Sequence, residues 1–357
     1  MKNMQKRVEA LLEATENWLK EDNKYLADAI DRTAREGYFS LEDIEYAIAA
    51  IKESITKEAL EDWVGHVNPN SENSAEGQNV LCLHAGNLPL VGFQDAFSTL
   101  LSGAKYTGKI SRKDPYLLPT FLNEVKQMDL WSDMDVQWTH RLDDFEGMQH
   151  DAIIFAGSES SVPGVKDAIQ QYNLAKEHTQ FLIRTSHFSL AYVDRDDLET
   201  VEDLTNSILR YSGKGCRSVA IVVSPYELNE IKEKFTECAK SFWLENPQHE
   251  TPAPSLKQQV AYNKAVGRDQ LWLDYFLIQE EGLELNQDFI CYWIKGDEKT
   301  AAQCAEKYEG QIQSIYVADQ DVTIPGWESN TELLENAQTP PISWEPDGID
   351  TLVWLMR

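Results

Sequence analysis

Apolar positions follow a helical rhythm at the start of the chain and form short continuous runs after residue 78. Val8, Leu11, Leu12, Trp18 and Leu19 make a broken helical stripe. Ser40-Leu41-Glu42-Asp43 predicts a later helix start, with Ser40 as cap and Asp43 at the third helical position; Ile44, Ala47, Ile48 and Ile51 continue its stripe. Residues 68–77 are polar and turn-rich, the expected exit from a helical cap. Asn79-Val80-Leu81-Cys82-Leu83 then predicts a compact strand. The pattern continues with a helix at 92–101, a strand at 105–110, a helix at 116–125 and strands at 151–155 and 190–193. A helix at 197–209 carries acids in its first turn, where the helix dipole favours them. Val219-Ala220-Ile221-Val222-Val223 is a further strand, followed by a helix at 228–242. Residues 271–277 and 289–294 are apolar, 311–317 alternates, 247–256 reads as a loop and 350–355 as a short terminal strand. This alternation implies an α/β fold with a mostly parallel sheet. The main domain boundary is expected between 205 and 220.

Length and composition narrow the class. A chain of 357 residues predicts two domains, and a hydrophobic content of 42% is adequate for both cores. No run of about 18 apolar residues occurs, so no integral membrane segment is expected. The first residues lead into an amphipathic helix rather than an apolar signal segment. Cysteines at 82, 216, 238, 291 and 304 form neither a disulfide framework nor a Cys-x-x-Cys metal site. A reducing, cytoplasmic setting fits them. The net charge of −28, from 60 acids against 32 bases, repels nucleic acid and anionic membranes. A local cluster of backbone N–H groups and one or two bases can still hold an anionic cofactor.

Candidate chemistry begins at Tyr211-Ser212-Gly213-Lys214-Gly215-Cys216-Arg217-Ser218, between a helix and an apolar strand. Small residues leave Cys216 little cover, and Lys214 and Arg217 add positive charge beside it. Both favour a reachable thiolate; the alternative is a structural cysteine after a turn. His84-Ala85-Gly86-Asn87-Leu88-Pro89 ends a strand, where open α/β sheets face ligand crevices. The Asn87 amide can donate to a developing oxyanion, or can simply satisfy its own loop. Phe155-Ala156-Gly157-Ser158 ends another strand, with small residues that let N–H groups approach phosphate or cap a helix. It is neither the Gly-x-Gly-x-x-Gly fingerprint nor a phosphate loop. Lys109-Ile110-Ser111-Arg112-Lys113 is a basic strand end, suited to a nucleotide or to a solvated turn. The histidines form no metal motif, so no metal is expected. His84 and His187 can reach the nucleophile only if their loops converge.

Taken in order, these segments resemble the acyl-CoA reductase family related to the fatty-acid reductase of bacterial bioluminescence, within the aldehyde dehydrogenase superfamily. The resemblance runs from about residue 78 to 225 and includes Leu100-Leu101-Ser102-Gly103-Ala104 besides the segments above. It implies an aldehyde dehydrogenase-like fold, with a Rossmann-type nucleotide-binding domain plus a second α/β catalytic domain. The expected divisions are a helical region at 1–70, the nucleotide-binding domain at 71–212, the catalytic domain at 213–335, and a segment at 336–357 that returns to the first domain or to an oligomer interface. It implies Cys216 as nucleophile and Asn87 as oxyanion donor. Lys109 and Ser111 are placed near the ribose, and Gly157 and Ser158 beside the cofactor phosphates. Arg112 stands where many NAD-using relatives have glutamate, which favours NADPH, with NADH open.

Hydrolytic relatives place a glutamate before two glycines upstream of the cysteine. Ile183-Arg184-Thr185-Ser186-His187 has none, and His187 is the residue assigned to that vacancy. The implied function is NAD(P)H-dependent reduction of an acyl-CoA thioester to an aldehyde through a cysteine thioester. Acyl carrier protein is an alternative carrier, and a homo-oligomer is expected. The competing functions are an aldehyde dehydrogenase that releases free acid and a noncatalytic binding protein of the same fold.

Overall fold

The computed structural model describes residues 2–67, 75–185, 188–248, 251–280, 289–328 and 331–357. The chain divides into two compact units, Met1–Thr185 with Pro340–Arg357, and Ser186–Thr339.

The first unit opens with helices α1 (Lys2–Trp18), α2 (Lys24–Arg35), α3 (Leu41–Ser54) and α4 (Lys57–Gly65). Ser40 caps α3 as expected, its Oγ accepting from the Asp43 N–H at 3.1 Å. The pattern then becomes β1 (Asn79–Leu83), α5 (Phe93–Ser102), β2 (Lys105–Lys109), α6 (Leu117–Gln127), β3 (Val136–Thr139), β4 (His150–Ala156), α7 (Val162–Gln171) and β5 (Ala175–Arg184). The five strands form one sheet in the order β3-β2-β1-β4-β5, and every neighbouring pair is parallel. Alternation along a strand sends successive side chains to opposite faces. Val80 and Cys82 enter one buried cluster with Phe97 and Phe121, while Leu81 and Leu83 enter another with Ile169. Two buried faces require apolar runs, which is why these strands were legible. The Trp18 indole N–H donates to Thr120 Oγ1 at 2.8 Å and fastens α1 to α6.

The second unit contains β6 (Phe188–Tyr192), α8 (Leu198–Leu209), β7 (Val219–Ser224), α9 (Leu228–Glu245), α10 (Pro254–Val266), β8 (Gln270–Trp272), β9 (Leu277–Glu280), β10 (Ile290–Lys295), α11 (Glu298–Lys307), β11 (Ile312–Val317) and β12 (Thr331–Leu333). Its sheet runs β12-β11-β6-β7-β10-β9-β8, parallel except for the antiparallel pair β8 and β9. Ala191 and Val222 pack on one face with Leu204 and Phe235, and Leu190 and Ile221 on the other with Ala301 and Ala305.

Two expectations change. Residues 350–355 form a helix, α12 (Thr351–Leu355), rather than a strand. Asp350 caps it by accepting from the Val353 N–H at 3.0 Å, and the i, i+3 pair Leu352 and Leu355 is buried. The units divide at Thr185 and Ser186, ahead of the expected stretch 205–220. The physical reason is that β6 pairs with β7 and that Ile208 and Leu209 of α8 are buried in the second unit's core. Residues from Pro340 onward group with the first unit.

Candidate functional site

Three loops leave the carboxyl edge of the first unit's sheet, after β1, β2 and β4. The strand order reverses between β1 and β4, and such a switch point is where α/β sheets open a ligand crevice. Asn87 lies exposed in the loop after β1. Lys109 ends β2, with Ser111 and Arg112 directly beyond it. Gly157 and Ser158 follow β4 and lead through a short 3-10 turn into α7. All six predicted residues of this unit therefore share one sheet edge.

The loops after β1 and β2 touch. A Cβ on Gly86 would lie 2.2 Å from Ser111 Oγ, so only glycine permits this approach. The Leu90 N–H donates to Asp114 Oδ2 at 2.8 Å, and Leu90 itself has a left-handed backbone, φ +58°. Burial pushes the Asp114 carboxyl up to about 6, partly offset by the Leu90 and Leu117 N–H groups. His84 is buried beside the same loop, its Nε2 2.7 Å from the Tyr106 hydroxyl. Burial, helped by the Lys109 charge and opposed by Asp95, pushes the imidazole down to about 4, so His84 is neutral and structural near pH 7.

The donor set fits a dinucleotide. Lys109 is partly buried, and burial together with the nearby Arg112 charge lowers its pKa. Two close cations at a strand end suit an anionic group. Ser158 Oγ lies 2.6 Å from Ser161 Oγ and 3.0 Å from Ser160 Oγ, which gathers hydroxyls ahead of the α7 N-terminus. This Rossmann-type region is consistent with an NAD(P)-type cofactor.

Cys216 belongs to the second unit, just before β7. Tyr211, Ser212 and Gly213 are all left-handed, at φ +56°, +59° and +70°, and Gly215 has φ +105°. Gly213 also passes so close to Phe276 that a Cβ would meet its ring at 2.6 Å. Ser189 Oγ donates to the Cys216 carbonyl at 2.8 Å, and Ser218 Oγ donates to the Lys214 carbonyl at 2.7 Å, so the turn is anchored on both sides. Cys216 is partly buried. Arg217 also has fixed partners within its own unit. Its buried guanidinium donates to the carbonyls of Ala337 at 2.7 Å and Asn336 at 2.8 Å and pairs with Glu332 at 3.1 Å. It anchors the turn to the segment after β12.

Burial raises the thiols of the other four cysteines. Cys82 and Cys291 are completely buried, and burial pushes both thiols well up. For Cys82 the Asp95 charge adds to that effect. Burial also raises Cys238 and Cys304. A thiol that resists ionisation in a packed core cannot attack a carbonyl.

Arg184 lies in the stretch 183–187, which holds no glutamate. It is buried, donates to Asp95 Oδ1 and Thr351 Oγ1 at 2.5 Å each, and thereby joins β5, α5 and α12. His187 lies outside the described residues. Sequence reading missed Arg184 and Asp114. For Arg184 the available signal was a charge closing the run Phe181-Leu182-Ile183; for Asp114 it was an acid placed before a helix start.

A model of the family "Acyl-CoA reductase (LuxC)" matches residues 10–308. No curated protein matches the sequence. Among solved structures, aldehyde dehydrogenase 21 from Physcomitrella patens, in complex with succinate, is similar at a TM-score of 0.69 and 12% identity, over 99% of this chain and 83% of that one. An NAD-dependent benzaldehyde dehydrogenase from Corynebacterium glutamicum is similar at a TM-score of 0.61 and 14% identity, over 89% and 77%. The aldehyde dehydrogenase KauB from Pseudomonas aeruginosa is similar at 0.61 and 14%, over 88% and 72%. At these identities the likeness is one of fold.

Proposed function

We propose that this chain, which belongs to the acyl-CoA reductase (LuxC) family, reduces its substrate through a thioester formed on Cys216. It is an acyl-CoA-reducing oxidoreductase of the aldehyde dehydrogenase fold. The Cys216 thiolate attacks the acyl-CoA carbonyl carbon, while the Asn87 amide and the Cys216 N–H donate to the oxyanion. The carbon–sulfur bond to coenzyme A breaks, coenzyme A leaves as its thiolate and takes a proton from solvent, and the acyl group remains on Cys216. Thioester exchange is nearly balanced, so the intermediate is accessible without becoming a trap. A reduced nicotinamide supplies a hydride when bound. After the acyl carbon has gained it, the thiohemiacetal on Cys216 collapses, the carbon–sulfur bond breaks, and aldehyde leaves with the thiolate restored.

The observation that carries this reading is the position of Cys216, in a left-handed glycine turn outside the packed cores that hold Cys82 and Cys291. The lack of a glutamate in residues 183–187 suits a thioester that water must not cleave, and His187 is assigned to shape that region. Lys109, Ser111 and Arg112 take the ribose end of the cofactor, and Gly157 and Ser158 its phosphates. Arg112 favours NADPH over NADH. Acyl-CoA is the preferred carrier over acyl carrier protein, the protein assembles as a homo-oligomer, and five thiols without a disulfide fit the cytoplasm.

Mass spectrometry after acyl-CoA addition, with peptide mapping, tests the proposal. The expected result is an acyl adduct on Cys216 that disappears on adding NADPH, with aldehyde as product. An adduct on another cysteine overturns the assignment. Free acid in place of aldehyde supports the hydrolytic dehydrogenase instead, and nucleotide binding without any adduct supports a noncatalytic role.

A further inference from the structure

The loop bearing Asn87 and the loop bearing Ser111 and Arg112 do not rest side by side by chance of exposure; they are tied. Asp114 is 5% exposed, and its Oδ2 accepts from the Leu90 N–H at 2.8 Å. Leu90 pays for its left-handed backbone with steric crowding at Cβ, so some contact must hold it there. The Asp114 acceptor is the contact that reaches it from the other loop, beside the local bond from the Phe93 N–H to the Leu90 carbonyl at 2.9 Å. A second tie lies three residues earlier in the Asp114 loop, where Gly86 and Ser111 approach too closely for any Cβ. Asn87 falls between the two ties, Gly86 on one side and Leu90 on the other. The stretch that carries Asn87 is therefore flanked on both sides by contacts to the β2–α6 loop.

We infer that Asp114 is a positioning residue, which holds Asn87 in place for oxyanion donation and couples that placement to the loop that takes the nucleotide ribose. The inference rests on the reading of Asn87 given above. Asp114 touches neither substrate nor cofactor in this account. Its effect passes through Leu90 to Asn87, and through its own loop to Ser111 and Arg112. A misplacement of a donor by about 1 Å costs on the order of a hundredfold in rate, so a lost tie should be visible in chemistry rather than only in stability.

A double-mutant cycle on the full chain tests this, with the rate of Cys216 acylation by acyl-CoA as readout and NADPH affinity measured alongside. Asp114→Ala should slow acylation by about ten- to a hundredfold and weaken NADPH severalfold. Asp114→Asn, which keeps an oxygen for the Leu90 N–H, should recover most of both. The double variant Asp114→Ala with Asn87→Ala should be no slower than Asn87→Ala alone, because Asp114 acts through Asn87. Losses that multiply overturn the inference and leave the role of Asn87 standing. An Asn87→Ala variant that acylates at the parental rate overturns the role of Asn87 itself, and the inference with it. If Asp114→Ala does not fold, Asp114→Ser enters the same cycle with the same two outcomes.

Discussion

The two units place their candidate chemistry at opposite edges of their sheets. In the first, Asn87, Lys109, Ser111, Arg112, Gly157 and Ser158 all follow strands, at the carboxyl edge. In the second, Cys216 precedes β7, at the amino edge. The carboxyl edge of a parallel sheet receives helix N-termini, whose N–H groups and dipoles favour anions. Binding a dinucleotide there needs small residues and a few bases, and among the residues of these loops only Leu90 is recorded as a left-handed non-glycine. The amino edge follows helix C-termini, whose dipole disfavours a thiolate. A nucleophile there needs a local device. The left-handed run at Tyr211, Ser212 and Gly213 sets the turn before Cys216, at a cost of order 1–3 kcal/mol for each non-glycine member. One unit thus offers a candidate binding edge by architecture, and the other holds its candidate nucleophile in an exceptional backbone.

The largest expected effect breaks that contrast directly. Cys216→Ala should lower steady-state reduction by more than about 10³-fold while NADPH affinity, a property of the other unit, stays within about twofold. Cys82→Ala is the control, because Cys82 lies inside the first unit's core between Thr99 and the Asp95 carbonyl. It should cost about 1 kcal/mol of stability and leave acylation near its parental rate. Stopped-flow reduction assays and denaturant titrations read the two effects. A Cys82→Ala variant that loses acylation while Cys216→Ala keeps it would move the chemistry to the first unit and erase the contrast.

The same contrast explains what could be read in advance. Strands buried on both faces announce themselves as apolar runs, so β1, β4 and β7 were legible, and the small residues that close them marked the crevice loops. Strand β5 was not, because it lies at the sheet edge and its first residues are mostly exposed. The helix α12 was misread because five residues hold too little of a helical period; what decides it is the cap from Asp350, itself held by the Trp63 indole at 3.1 Å. The carboxylate tie from Asp114 to Leu90 joins two loops whose approach no local pattern encodes. The fixed partners of Arg217 were hidden for a related reason. Its charge is taken up by Glu332 and by carbonyls more than a hundred residues away in sequence, and local spacing shows none of them.

A smaller effect sharpens the binding half. Arg112 is exposed, so its interaction with a 2′-phosphate is partly screened. Arg112→Glu should weaken NADPH by about tenfold, roughly 1.4 kcal/mol, and NADH far less. Fluorescence titration with each cofactor measures the ratio. Equal losses for NADPH and NADH would place Arg112 outside the 2′-phosphate's reach, and cofactor choice would then have to come from another residue at the same sheet edge.

The smallest expected effect is a difference in the pH dependence of stability, and it separates the units again. In the first, His84 is held down to about 4, so between about pH 4 and 6.5 the unfolded chain binds more protons than the folded one, and this group makes stability rise with pH. Asp114, held up to about 6, works the other way. Between its ordinary value of 3.8 and about 6 the folded chain keeps the extra proton, so stability falls as pH rises. The two slopes oppose each other within one unit. In the second unit Asp203 is raised to about 6, first by burial and then by Glu335, Glu199 and Glu202, and it contributes a falling slope over the same window. Asp203 is only about half-buried, so solvent screening reduces its share. Hydrogen exchange resolved by peptide, corrected for the intrinsic pH dependence, reads each unit separately. Relative to the parent between pH 4 and 6, Asp114→Asn should make first-unit stability rise more steeply, and His84→Gln should tilt it toward falling. Neither slope should change by more than one proton's worth, about 1.4 kcal/mol per pH unit. Asp203→Asn should flatten the second unit and leave the first unchanged. A His84→Gln variant with the parental slope would mean that this imidazole takes up its proton as readily in the folded chain as in the unfolded one, and its buried contact with Tyr106 would then have to open to solvent below pH 6.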